Sequence, residues 1–282
     1  MTTLRHTELN HPDYTYYKEN WDLVKHVLEG KKGIDSQGET YLPRPSGRQD
    51  AEYDSYKKRA VLYNATSRTE DGLLGAMFRK DSKVDLPPNL EYLETNIDGE
   101  GSTITQFAKK SSKHILDFGR QGLLVDYPQA DNIKTLEDER NANLKARVQS
   151  YTPQSIVNWH TVRDGGIQKL THVLIEEEIV VGDASGHVFS RDTGYQYRLL
   201  ELDAEGFYTI TILEPTEQPM GDSAKTELVY KQTGDIIKPR LPNGNRLNFI
   251  PFIFVGSLDN TPSIDRAPLY DLAVLNLAHY RN

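Results

Sequence analysis

Apolar residues in this chain change their spacing twice, and those changes limit the fold more than any single motif. Up to about residue 150 they recur every three or four positions, as on one face of a helix. From Pro153 to about residue 255 they alternate or run together, as in strands, and after Pro268 the helical spacing returns. Helices followed by strands, without regular βαβ alternation, predict an α+β fold: an N-terminal helical region, a mostly antiparallel β region and a C-terminal helix. The expected segments are a flexible arm over 1–12, a helical region over 13–150, a β-rich region over 151–256, and a loop with the start of a helix over 257–282.

Within the helical region, Asp13 can cap a helix that carries Tyr17, Trp21, Val24 and Leu28 on one face and stops before Gly30. Residues 31–49, rich in Gly and Pro and holding Arg44 and Arg48, read as an exposed loop. A long second helix is expected from Asp50, with Tyr53, Tyr56, Ala60 and Tyr63 on one stripe and a bend at Gly72 before Leu74, Met77 and Phe78. Leu90–Leu93 suggests a helical turn. Ile104, Phe107, Ala108, Ile115 and Phe118 share the face of a third helix, ended by Gly119 and Gly122 ahead of a short strand over 123–127. A charged helix is expected from Leu136 to Gln149.

The β region should contain strands at 156–160, 167–175 and 179–181, with Asp164-Gly165-Gly166 as a turn. The clearest hairpin joins 195–202 to 207–213 through Asp203-Ala204-Glu205-Gly206. Residues 215–226 read as turns, 228–231 as a strand and 239–245 as a loop. Asn248 to Gly256 is a buried strand that leads to the terminal helix, Ala267-Pro268-Leu269 onward. That helix has no fully polar face, so a polar change at Leu272 or Leu275 is expected to prevent assembly or folding.

Cysteine is absent, which excludes disulfides, thiolate metal sites and cysteine nucleophiles and fits a reducing compartment. No stretch approaches the roughly 18 apolar residues of a membrane span, so no membrane association is expected. With 41 acidic against 33 basic residues the net charge is -8, unfavourable for tight nucleic-acid binding. Sixteen Tyr against eight Phe suit surfaces where a ring is covered while its hydroxyl stays wet.

Catalytic patterns are weak. The loop Asp98-Gly99-Glu100-Gly101-Ser102-Thr103 lacks the lysine of a phosphate-binding loop and the closing glutamate of a calcium loop. Glu176-Glu177-Glu178 gathers carboxylates, but strand neighbours point to opposite faces, and the triplet reads as a solvated edge or turn. Gly182-Asp183-Ala184-Ser185-Gly186 has the wrong spacing for a nucleophile elbow. The eight His form neither a His-Glu-x-x-His motif nor a close pair. Catalytic, cofactor and metal residues are therefore all expected to be none. The alternatives are an acidic α+β enzyme of the carbohydrate-active hydrolase type, drawing on Glu176, Glu178 and Asp183, and a monomeric binding module.

Several phrases in order carry a family likeness: Asn64-Ala65-Thr66-Ser67-Arg68-Thr69 leading to Gly72-Leu73-Leu74-Gly75-Ala76-Met77-Phe78-Arg79-Lys80, then Gly119-Arg120-Gln121-Gly122-Leu123-Leu124-Val125-Asp126-Tyr127-Pro128. Ile156-Val157-Asn158-Trp159, Tyr197-Arg198-Leu199-Leu200-Glu201-Leu202 and Ile250-Pro251-Phe252-Ile253-Phe254 follow, and Pro268-Leu269-Tyr270-Asp271-Leu272-Ala273 with Asn276-Leu277-Ala278-His279-Tyr280-Arg281-Asn282 closes the series. In this set the chain resembles the portal proteins of tailed bacteriophages, in a portal-like family long catalogued only as a domain of unknown function. Portals of this family are longer, so the chain is expected to be a portion, chiefly the outer wing.

The resemblance implies a non-enzymatic homo-oligomer, a ring of about twelve subunits at one capsid vertex, through which double-stranded DNA passes without sequence readout. It implies the terminase large subunit, a head-tail adaptor and the major capsid or scaffolding protein as partners, and a place in the virion after assembly in the bacterial cytoplasm. An acidic wall would let the duplex slide where a basic one would hold it. Tyr53, Tyr56, Tyr63, Leu269, Leu272 and Leu275 become candidates for contacts between subunits.

Overall fold

The computed structural model describes residues 2–5, 8–47, 49–80, 82–127, 145–181, 192–219, 226–241 and 244–281. Its elements, in chain order, are β1 (Thr3–Arg5), α1 (Pro12–Leu28), α2 (Lys31–Ser36), α3 (Asp50–Arg59), α4 (Ala65–Met77), α5 (Tyr92–Thr95), α6 (Ile104–Phe118) and β2 (Arg120–Asp126). There follow β3 (Arg147–Tyr151), β4 (Ile156–Asp164), β5 (Ile167–Val181), β6 (Asp192–Leu202), β7 (Tyr208–Pro219), β8 (Thr226–Ile237), β9 (Phe252–Gly256) and α7 (Tyr270–Arg281). The fold is α+β, with a helical N-terminal part, antiparallel sheet and a C-terminal helix. The chain divides into two compact units: Met1–Thr15, Leu124–Ala146 and Pro153–Phe252 in the first, Tyr16–Leu123, Arg147–Thr152 and Ile253–Asn282 in the second.

The first unit is built on a six-stranded sheet in the order β1-β8-β7-β6-β5-β4. Trp159, Val173, Leu200 and Ile210 stand opposite one another on successive strands and form a buried row. That row explains the period of two: one face must leave water. The β6–β7 turn is closed by Asp203, whose carboxylate accepts from the backbone N–H groups of Glu205 and Phe207, and by Gly206 at φ 83, a conformation that disfavours side chains.

Three expectations change here. Part of the N-terminal arm takes up secondary structure: β1 pairs antiparallel with β8, Leu4 opposite Tyr230, and Leu9 is buried. Residues 215–219 continue β7: among the described residues the β6 ladder ends at Leu213 and β7 beyond it pairs with β8 alone, so Pro215 can face the open side without losing a ladder bond, while 220–225 lie outside the described residues. The strands expected at 167–175 and 179–181 are one continuous β5.

The second unit holds most of the helices, all of β3 and most of β2 and β9, the strands of a sheet in the order β3-β2-β9. Val24, Val27, Ile34, Tyr41, Leu42, Leu269, Ala273, Leu277 and Tyr280 form its core. Each large aliphatic side chain fully buried there contributes roughly 1.5–3 kcal/mol. Trp21 is also buried, and its indole N–H donates to the Phe118 carbonyl at 3.1 Å. α6 ends at Gly119, φ 80, where a Cβ would lie 2.7 Å from the Asp265 carbonyl oxygen.

Sequence patterns missed more here. Residues 31–42 are α2 and a 3-10 turn at Gly38–Thr40, because Ile34, Tyr41 and Leu42 supply buried anchors that the glycines obscured. The long helix expected from Asp50 is two helices, broken at Ala60–Asn64 rather than bent at Gly72; Ala60 adopts ψ 124 and Asn64 caps a new start. Ala108 on α6 is exposed. Of the helix expected over 136–149, residues 136–144 lie outside the described residues, while Arg147–Tyr151 is strand.

Candidate interaction surface

The six residues expected at an interface all lie in the second unit, and their surroundings separate them. Tyr53 is buried: its hydroxyl donates to the Leu42 carbonyl at 2.6 Å, and Arg44 and Lys57 flank its ring at 5.0 and 4.8 Å. Tyr56 packs against the core and donates to the Arg281 carbonyl at 3.1 Å. Leu269 is part of the core and Leu272 leans on it. Only Tyr63 and Leu275 leave most of their surface in solvent, 56% and 66%.

Exposure at Leu275 follows from the way α7 is held. Ala273, Asn276, Leu277 and Tyr280 face inward, which leaves Asp271, Val274, Leu275, Ala278 and His279 outward. Asn276 is the buried polar member. Its carbonyl oxygen accepts from the backbone N–H and the hydroxyl of Thr66, both at 3.1 Å, and its amide donates to the Tyr63 carbonyl at 2.9 Å. The first turn of α4 is thereby satisfied from a helix far along the chain.

A second asparagine closes the other side. Asn64 accepts from the Ser67 N–H at 3.0 Å as the cap of α4, and its amide donates to the Val27 carbonyl at 2.8 Å, at the C-terminus of α1. Further along α4, Glu70 is paired with Lys113, which also meets Asp117 at 3.2 Å; both carboxylates are buried. Burial raises the Asp117 pKa above the ordinary carboxylate value, and the neighbouring Lys113 only partly offsets it. The buried stripe of α4 is thus Thr66, Glu70 and Leu74, mostly polar, while Leu73 and Met77 are exposed beside Gly72, Gly75 and Ala76.

The other candidate motifs resolve as structure. In the 98–103 loop Asn96 accepts from the N–H groups of Gly99 and Gly101, and Asp98 from those of Glu100 and Ser102, so these donors are already engaged. Burial disfavours ionised Asp98, but hydrogen bonds from Ser102 and Glu100 outweigh it and lower its pKa.

Glu176, Glu177 and Glu178 lie in strand β5 rather than in a turn, just past Ile175, where the ladder with β4 ends; they pair with β6, and Glu178 is exposed while Glu176 and Glu177 are half-buried. Glu176 accepts from the Tyr197 hydroxyl at 2.5 Å, and Glu177 pairs with Arg198 at 2.9 Å; Arg198 also meets Asp126 at 3.1 Å. Burial, then the Glu176 carboxylate, pushes the Tyr197 pKa up. Cross-strand partners on β6, invisible in the triplet itself, are what draw Glu176 and Glu177 inward. The serine and aspartate of the 182–186 segment, including Asp183, lie outside the described residues.

His160 and His172, distant in sequence, stand side by side across β4 and β5 with ring centroids 5.9 Å apart, a close pair that spacing did not reveal. Among the described residues no group of three or more His, Cys, Asp or Glu side chains could hold a metal ion, and no helix is long and apolar enough to cross a membrane. No protein-family model matches the chain, and no curated protein is significantly similar to it.

Proposed function

We propose that this chain is the wing portion of a tailed-phage portal subunit, a non-catalytic building block of a ring that passes double-stranded DNA at a capsid vertex. The observation that carries the reading is the ordered series of sequence phrases running from Asn64 to the terminal helix. Terminase, a head-tail adaptor and capsid or scaffolding proteins are the partners it entails, and the virion its destination.

Two features support it. The outward side of α7 presents Val274 and Leu275, and α4 presents Leu73 and Met77, on helices whose inward sides are anchored by Asn276, Asn64 and Glu70. Exposed apolar side chains on firmly seated helices suit contacts with identical neighbours in a closed ring. The net charge of -8 suits a conduit that does not grip phosphate.

The test is the mass and electron-microscopic appearance of the full-length protein, wild type and Leu275→Asp. Leu275 is mostly exposed, so the substitution should change the stability of the chain by no more than ~0.5 kcal/mol. The wild type should form rings and the variant should not. A wild type that stays monomeric at high concentration, or normal rings from the variant, would overturn the proposal.

A further inference from the structure

We propose that the two ends of the long strand β5 are the two halves of a contact between copies of this chain: the tip of the β4–β5 hairpin of one copy docks on the β5–β6 ribbon of another. Both surfaces lie in the first unit, and the contact rests on the portal reading for the ring it helps to close.

β5 has 15 residues and so spans roughly 45 Å. Val173, Leu174 and Ile175 in its middle are buried, while Ile167 at one end and Val180 at the other are 74% and 66% exposed. The strand is anchored at its centre and presents both ends to solvent.

At the first end, Gly165 and Gly166 turn the chain at φ 55 and φ 88. Two consecutive left-handed residues make the tight turn that matches the twist of the flanking strands, so the tip has a fixed shape. Asp164 pairs with Ile167 and Val162 with Lys169, which places these four side chains on one face. Two exposed aliphatic groups there stand beside the Lys169 ammonium. Arg163 leaves the opposite face, paired with Gln168.

At the other end, Glu178 pairs with Tyr195 and Val180 with Thr193, so exposed Val180 and Tyr195 share a face with the Glu178 carboxylate. The neighbouring glutamates are engaged within the chain, Glu176 by the Tyr197 hydroxyl and Glu177 by Arg198. Glu178 has no ion-pair or side-chain hydrogen-bond partner among the described residues.

Charge identifies the occupant. The chain has a net charge of -8, so two copies repel unless cations of one meet carboxylates of the other. The tip carries Arg163 and Lys169 against Asp164, and the ribbon carries Glu176, Glu177, Glu178 and Asp192 against Arg198. The two signs are opposite, and each end also offers aliphatic surface to cover. Lys169 on the tip face and Glu178 on the ribbon face form the pair of opposite sign. When each copy sets its tip on one neighbour and its ribbon under the next, the contact is heterologous and builds a ring; used reciprocally by two copies, it would close a twofold dimer.

The test is the mass of the full-length protein by light scattering over a dilution series. Wild type should form rings. Lys169→Glu and Glu178→Lys should each raise the concentration needed for assembly by about tenfold or more. The chain carrying both exchanges should return to within about threefold of wild type, because opposite charges again meet across the contact. Within one copy the two residues lie at opposite ends of β5, so a role inside the chain would not be rescued in this way. Ile167→Asp should impair assembly to a similar degree without moving the thermal transition. Circular dichroism establishes that each variant is folded; should a charge exchange unfold the chain, Ile167→Asp decides. Rings that ignore the single exchanges, or no recovery in the double exchange, would overturn the contact and leave the portal reading standing. A dimer or open chain that responds to the exchanges would keep the contact and overturn the ring, and a wild type that stays monomeric would overturn both.

Discussion

Helices α4 and α6 lie in the same unit and have similar lengths, yet they are held in different ways. α6 starts at a reciprocal cap, in which Thr103 accepts from the Gln106 N–H and Gln106 from the Thr103 N–H, buries Phe107 and Phe118, and stops at a left-handed glycine. α4 buries Thr66, Glu70 and Leu74 and depends on Asn64, Asn276 and Lys113, all outside its own span. A helix like α6 carries its instructions locally. One like α4 is positioned by its neighbours, and its exposed side is left free of the duty of folding.

The contrast can be broken most severely at Asn276. Asn276→Leu preserves size but leaves the Thr66 N–H and the Thr66 hydroxyl without their buried acceptor, while the Tyr63 carbonyl keeps the Ala65 N–H. At about 1–3 kcal/mol for each orphaned group, with partial relaxation, a loss of about 4 kcal/mol is expected in urea unfolding. A loss under about 1 kcal/mol would mean that α4 is not held by this residue.

Next in size is Lys113→Met, which touches both helices. It leaves buried Glu70 and Asp117 facing each other without the ammonium between them, for an expected cost of about 3 kcal/mol at neutral pH. The pH dependence has a definite sign. Asp117 has a folded-state pKa above its unfolded value, so the folded state binds the proton more readily. Stability from this group is therefore present below the unfolded pKa and lost as pH rises through the folded one. Removing Lys113, which pulls that pKa down, widens the window upward. Acidification should thus restore part of the variant's stability, and a cost independent of pH would show that Asp117 stays charged throughout.

The same contrast sets what could be read from the sequence. α6 and the Asp203–Gly206 hairpin were legible because cap, apolar period and terminating glycine lie within one short stretch. The break between α3 and α4 was not, since Tyr53, Tyr56 and Tyr63 keep a helical spacing while the deciding partner, Asn276, lies 210 residues from Thr66. β1 was hidden for a similar reason: its only strand partner among the described residues is β8. Among the expected surface residues, Tyr63 and Leu275 stand outward, but nothing local marks Tyr53 as the ring that closes over Leu42. The histidine pair escaped because a bulge, not a motif, brings it together.

The smallest effect provides the control. If α6 is governed locally, Thr103→Ala removes one side-chain acceptor and half of a reciprocal cap, at an expected cost of about 1 kcal/mol. Hydrogen exchange should then show faster opening in the first turn of α6, with little change in α4, because the cap has no partner there among the described contacts. A comparable loosening of α4 would mean that the two helices open as one, through the Glu70–Lys113–Asp117 contact. In that case the distinction between a self-specified helix and a borrowed one would reduce to how each begins.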